Sequence, residues 1–157
     1  MRAICYVSTA CWQLDDSELE HLLQAARTRN REHGITGLLL YCEGSFMQYL
    51  EGPKADIAPV WDIIRADEKH HHIITLFDRT VPARLYSDWT MAYRRTEPPD
   101  FAKLLNSDWA TSSEGTPEQC WFVPGVRMLR DFWELNQTLP AGRAPPPAAG
   151  AGAARRR

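Results

Sequence analysis

The chain has 157 residues, 44 % hydrophobic and 24 % charged, which is room for one domain of ordinary size, composed like a folded globule and not a disordered chain. Its formal net charge of −2 excludes a strongly basic nucleic-acid binder, and no run of about 18 apolar residues is present to cross a membrane. The start, Met1-Arg2-Ala3-Ile4-Cys5-Tyr6, lacks the apolar core of a secretory signal, so Cys5, Cys11, Cys42 and Cys120, with no CxxC spacing, are expected as reduced thiols in a cytoplasm.

The first strand is expected over Ala3 to Ser8, with Ile4, Tyr6 and Ser8 on one face and Ala3, Cys5 and Val7 on the other. Asp15-Asp16-Ser17 then offers several helix N-caps, with Glu18 and Glu20 favourably placed in the first turns. Leu19, Leu22, Leu23 and Ala26 form the apolar stripe of that helix, Asn30 falls on the same face, and Gly34 is the natural stop. Ile35 to Cys42 reads as a second strand, Glu43-Gly44 as a tight turn, and Ser45 to Leu50 as the returning strand. In it Phe46, Gln48 and Leu50 share one face, and Met47, Tyr49 and Glu51 the other. Asp56 is a candidate cap for a second helix, with Pro59 in its first turn and Ile57, Val60, Trp61 and Ile64 as its stripe. His72 to Phe77 is predicted as a fourth strand, and Asp88 to Tyr93 as a fifth with Trp89, Met91 and Tyr93 on one face.

The order β-α-β-β-α-β-β, with two helices that each need one face covered, predicts an α+β, ferredoxin-like sandwich: a five-stranded mixed sheet with both helices on one side. Residues 98–139 are expected to form two short helices covering the other face, through Phe101, Leu104, Leu105, Trp109, Trp121, Val126, Leu129 and Trp133. Pro140 to Arg157 is low in complexity, has no bulky apolar residue, and is expected to be a disordered tail. It holds four arginines and no acid; without them 14 of the 18 basic residues face 20 acids, so the remainder is an acidic globule of formal charge −6. The expected organisation is therefore 1–97, 98–139 and 140–157.

Polar side chains interrupt apolar patterns on three elements: Tyr6 and Ser8 on the first strand, Asn30 on the first helix and Gln48 on the third strand. A buried polar group without a partner costs about 1–3 kcal/mol. One alone reads as a local hydrogen bond, and Tyr6 alone as an ordinary strand aromatic. Three on elements that pack together point to a polar ligand between helices and sheet. His70-His71-His72 makes a poor chelate, because neighbours on an extended segment point to opposite faces.

Five phrases in order carry a resemblance: Ile4-Cys5-Tyr6-Val7-Ser8; Asn30 leading into Gly34-Ile35-Thr36-Gly37-Leu38-Leu39-Leu40-Tyr41; Phe46-Met47-Gln48-Tyr49-Leu50-Glu51-Gly52; Ala66-Asp67-Glu68-Lys69-His70; and Ser87-Asp88-Trp89-Thr90-Met91. Over residues 1–95 the chain resembles the BLUF family, the blue-light sensors using flavin. The resemblance implies a photoreceptor, not an enzyme, that binds a flavin non-covalently: FAD, with FMN or riboflavin as alternatives. It implies that Tyr6 gives an electron and a proton, that Gln48 bridges Tyr6 to the flavin, and that Asn30 anchors the ring. Ser8, Trp89 and Met91 would shape the surroundings of Gln48, with Leu22 and Phe46 among the flavin contacts. Asp67, Lys69 and His70 fall on the family's D-x-R-H phrase, near the ribityl chain; Lys69 stands where the family has arginine and lacks its planar fork. No effector domain is recognised after residue 97, so a separate partner protein and self-assembly are expected. Two alternatives stand beside this. An acylphosphatase-like hydrolase would need an arginine-bearing phosphate loop after the first strand, and Thr9-Ala10-Cys11-Trp12-Gln13 has neither Arg nor Gly. A flavin-free regulatory module would use the same groove for another small ligand or a protein.

Overall fold

The computed structural model describes residues 1–109 and 116–137; the expected tail, 140–157, lies outside them. The elements are β1 (Arg2–Ala10), α1 (Asp16–Glu32), β2 (Thr36–Cys42), β3 (Ser45–Gly52), α2 (Lys54–Ala66), β4 (His70–Thr80), β5 (Ala92–Arg95), α3 (Pro98–Leu105), a 3-10 turn (Pro117–Phe122) and α4 (Pro124–Gln137). The sheet runs β4-β1-β3-β2-β5, antiparallel except for β5 beside β2. This is the ferredoxin-like order with one strand added at the β2 edge.

Two apolar layers flank the sheet. On one face Ile4, Leu39, Phe46 and Leu50 meet Leu19, Leu23 and Ala26 of α1 and Ile57, Val60, Trp61 and Ile64 of α2. On the other, Ala3, Cys5, Leu38, Leu40, Met47 and Tyr49 meet Phe101, Leu104, Trp109, Val126, Leu129 and Trp133. The alternation along β1 and β3 thus divides one sheet between two cores, as period-two patterning requires.

Local chemistry sets the element ends. Of the three candidate caps, Asp15 starts α1: it accepts from the Glu18 N–H at 2.8 Å, and Glu18 accepts from the Asp15 N–H at 2.9 Å, a reciprocal capping box. Gly34 ends the helix at φ +57°. Gly37 is fixed by crowding: a Cβ there would lie 1.9 Å from the Tyr49 carbonyl oxygen of the paired strand.

Three expectations are corrected. Helix α2 begins at Lys54 after Pro53, so Asp56 sits in its first turn and does not cap it, and Pro59 lies inside the helix. β4 is longer than expected and bulged. His72 adopts φ +52° where the β1–β4 register slips, which breaks the alternation and brings the His71 and His72 rings to 4.4 Å. β5 is only Ala92–Arg95, so Trp89 and Met91 precede it in an irregular segment and do not share a strand face.

Candidate functional site

Register places the central pair. Tyr6 of β1 and Gln48 of β3 are direct cross-strand neighbours on the helix-facing side, and Leu39 of β2 is the next partner of Gln48. The Tyr6 hydroxyl donates to Gln48 Oε1, and Gln48 Nε2 donates to Met91 Sδ at 3.6 Å. The amide is therefore held at both ends, its acceptor by a phenol and its donor by a weakly accepting thioether. Burial pushes the Tyr6 phenol well above its ordinary pKa of 10.0, and the Arg29 charge pulls the other way. Tyr6 is thus a neutral O–H donor at physiological pH.

These side chains floor a cleft between α1, α2 and the sheet that holds about 650 Å³ of free space, part of it open to solvent. Leu22, Ala25, Ala26 and Arg29 of α1 form one wall, Ile64, Asp67, Lys69 and His70 the other, and Leu39 and Phe46 complete the floor. His70 is fixed on both ring nitrogens: Nδ1 lies 2.8 Å from Ser8 Oγ and Nε2 lies 2.8 Å from the Ile64 carbonyl. The carbonyl can only accept, so Nε2 carries the proton and Nδ1 can accept from the serine. Asp67 Oδ1 accepts from the Lys69 N–H at 3.0 Å and shapes the turn after α2.

Asn30 is fully buried; its Nδ2 donates to the Thr90 carbonyl at 2.7 Å and its Oδ1 has no partner. Arg29 Nε is likewise buried and unpartnered. A buried acceptor and a buried donor left open on consecutive residues fit a planar heterocycle whose edge alternates carbonyls and an N–H, and the apolar wall fits its faces.

A family model, sensors of blue light using FAD (BLUF), matches residues 1–92. The chain belongs to the BLUF family. The beta subunit of a photoactivated adenylate cyclase from Euglena longa is 33 % identical over 92 residues, 58 % of this chain and 11 % of its own length. The chain thus spans about a tenth of the curated cyclase subunits it matches. Among solved structures, ground-state BlsA is 26 % identical at a TM-score of 0.62, covering 90 % of this chain and 89 % of its own. BlrP1 of Klebsiella pneumoniae, solved with FMN and cyclic diGMP, is 24 % identical at a TM-score of 0.56 over 60 % of this chain and 25 % of its own, a likeness of fold alone. The BLUF domain is a flavin-binding sensor of blue light and not itself a catalyst.

Of the residues singled out in the sequence, Tyr6, Leu22, Phe46, Gln48, Asp67, Lys69 and His70 line the BLUF cleft. Ser8 is bonded to His70, and Asn30 and Met91 stand behind the lining. Met91 is 2 % exposed and belongs to the helix-side core, whereas Trp89 is 44 % exposed with its ring 6.3 Å from Trp133 of α4. The two thus lie on opposite sides of the chain. Sequence reasoning missed Arg29, whose signal was the face Leu22, Ala25, Ala26, Arg29 at i, i+3, i+4 and i+7 beside the buried stripe. It also missed the tethers of the segment before β5. Arg27 Nε donates to the Met91 carbonyl at 3.1 Å, and the Gly37 N–H donates to the Trp89 carbonyl at 2.9 Å. The Glu51 carboxylate accepts from the N–H groups of Leu85 at 2.8 Å and Tyr86 at 2.6 Å. No pattern along the chain marks such long-range partners.

Proposed function

We propose that this protein is a blue-light photoreceptor that binds FAD in the cleft, senses light through Tyr6 and Gln48, and signals to a separate effector protein and not by catalysis. The Tyr6–Gln48–Met91 relay carries this reading. Bound flavin supplies the blue absorption and, once excited, an acceptor for an electron. Tyr6 is the donor within reach of the cleft; its phenol becomes a strong acid on losing an electron, and Gln48 Oε1 is its hydrogen-bond acceptor. Gln48 can answer by rotating or by tautomerising, either of which exchanges donor and acceptor ends. The bond from Nε2 to Met91 Sδ, a weak acceptor, is the easiest to give up. Met91 is two residues from Trp89, which packs on Trp133, so a shift at Gln48 has a contiguous route to α4. Arg94 adds a second link from β5, donating to Asn136 Oδ1 at 3.0 Å.

Residues 1–97 form the sensor in this reading, and 98–139 the output element. Asn30, Asp67, Lys69 and His70 hold the flavin, with Leu22, Phe46 and Ser8 shaping its seat. FAD is favoured by the family description, and FMN is the alternative because BlrP1 was solved with it. Among the described residues no helix is long and apolar enough to cross a membrane, and we place the protein in the cytoplasm as a homo-oligomer. The test is the absorption spectrum of the purified protein in darkness and under blue light. A flavin spectrum that moves slightly red on illumination and relaxes in the dark supports the reading. A colourless protein that cannot be reconstituted with flavin overturns it.

A further inference from the structure

We propose that Arg29 is a cationic contact of the bound flavin and makes the cleft hold the reduced, anionic ring more tightly than the oxidised one. The inference rests on the flavin reading above and adds a redox preference to it. Arg29 stands one turn before the end of α1, half-buried, on the cleft wall. Its Nε–H is out of water and has no acceptor. Arg27 on the same helix is engaged: it donates to the Met91 carbonyl and lies 3.7 Å from Glu20. Among the described residues no carboxylate is in ion-pair range of Arg29.

A guanidinium half out of water with an open donor is a costly arrangement until something fills the cleft. A guanidinium on this wall is the complement of a carbonyl on the pyrimidine edge of the flavin. A hydrogen bond to the carbonyl would serve either redox form. The charge would not: above neutral pH the fully reduced ring is an anion with its charge over N1 and the adjacent carbonyl, and the oxidised ring is neutral. A fixed cation at that edge favours the anion, because charge near the ring nitrogens tunes a flavin's potential.

The test uses the full chain freed of flavin, with FAD as the probe. Dissociation constants are measured anaerobically at pH 8 for oxidised FAD and for FAD reduced with dithionite, in wild type, Arg29→Gln and Arg29→Lys. Gln keeps a donor and removes the charge; Lys keeps the charge. The expected result is that Arg29→Gln weakens binding of reduced FAD at least tenfold more than of oxidised FAD. By linkage that lowers the two-electron midpoint potential of bound FAD by about 30 mV. Arg29→Lys should keep the wild-type ratio within about threefold. Equal losses for both redox forms in Arg29→Gln, or no loss in either, would overturn the proposal while leaving the sensor reading intact. A wild-type chain that takes up neither form would instead remove the sensor reading, and this proposal with it.

Discussion

Glu51 is the sharpest test of how the fold holds the segment that carries Trp89 and Met91. Its side chain is 0 % exposed, and its two oxygens accept from the N–H groups of Leu85 and Tyr86. Arg84 donates to Thr36 Oγ1 at 2.8 Å and to the Glu51 carbonyl at 3.0 Å, closing the same corner. Glu51→Ala would leave both N–H groups without an acceptor. At about 1–3 kcal/mol each, the loss is about 2–6 kcal/mol, a large part of the ~5–15 kcal/mol that stabilises a domain. In a chain of this size each kcal/mol moves the melting midpoint by about 2–4 °C, so thermal unfolding followed by far-UV circular dichroism should shift down by about 5–20 °C. A shift under about 2 °C would refute the reasoning, since it would mean the segment finds other acceptors at no cost. The pH dependence gives a second reading. Burial pushes the Glu51 carboxyl above its ordinary 4.5, against the pull of the Leu85 and Tyr86 N–H groups and the Arg84 charge. The folded protein then binds this proton more tightly than the unfolded chain. The contribution of Glu51 is therefore fully present below pH 4.5 and declines as the pH rises through its folded value. Glu51→Gln, which cannot ionise, should remove that decline; an unchanged stability–pH profile would show that Glu51 does not cause it.

Gln48→Leu should retain flavin but lose the light-induced red shift, and Tyr6→Phe should block the photocycle; difference spectra check both, and a normal photocycle in either variant removes that residue from the switch. Asn30→Ala should loosen the flavin, seen as loss of yellow colour on gel filtration, and should destabilise the fold by about 1–3 kcal/mol by stripping the Thr90 carbonyl of its donor. Retention equal to wild type would move the anchor elsewhere. Gly37→Ala should cost at least about 1–3 kcal/mol, because its Cβ would lie 1.9 Å from the Tyr49 carbonyl oxygen and must force β2 from β3. An unchanged urea midpoint would contradict that crowding.

The sequence alone determined what depends on periodicity and local chemistry. Alternation put Ile4, Tyr6 and Ser8 on one face of β1, and in β3 set Phe46, Gln48 and Leu50 apart from Met47, Tyr49 and Glu51, because successive strand side chains point to opposite faces whatever surrounds them. The stripe of α1, its start among Asp15-Asp16-Ser17 and its stop at Gly34 were equally legible, since caps and stripes act within a few residues. The five phrases carried the family. The tertiary structure decided what depends on partners far along the chain. Alternation predicted Trp89 and Met91 on one face, but Glu51, more than thirty residues earlier, pins residues 85 and 86, and Gly37 takes the Trp89 carbonyl. The segment turns, β5 starts only at Ala92, and Met91 goes to Gln48 while Trp89 goes to Trp133. The bulge at His72 and the opening of Arg29 onto the cleft were hidden for the same reason. Each is fixed by register or packing between elements, and a pattern read along one element carries no information about what its neighbours place against it.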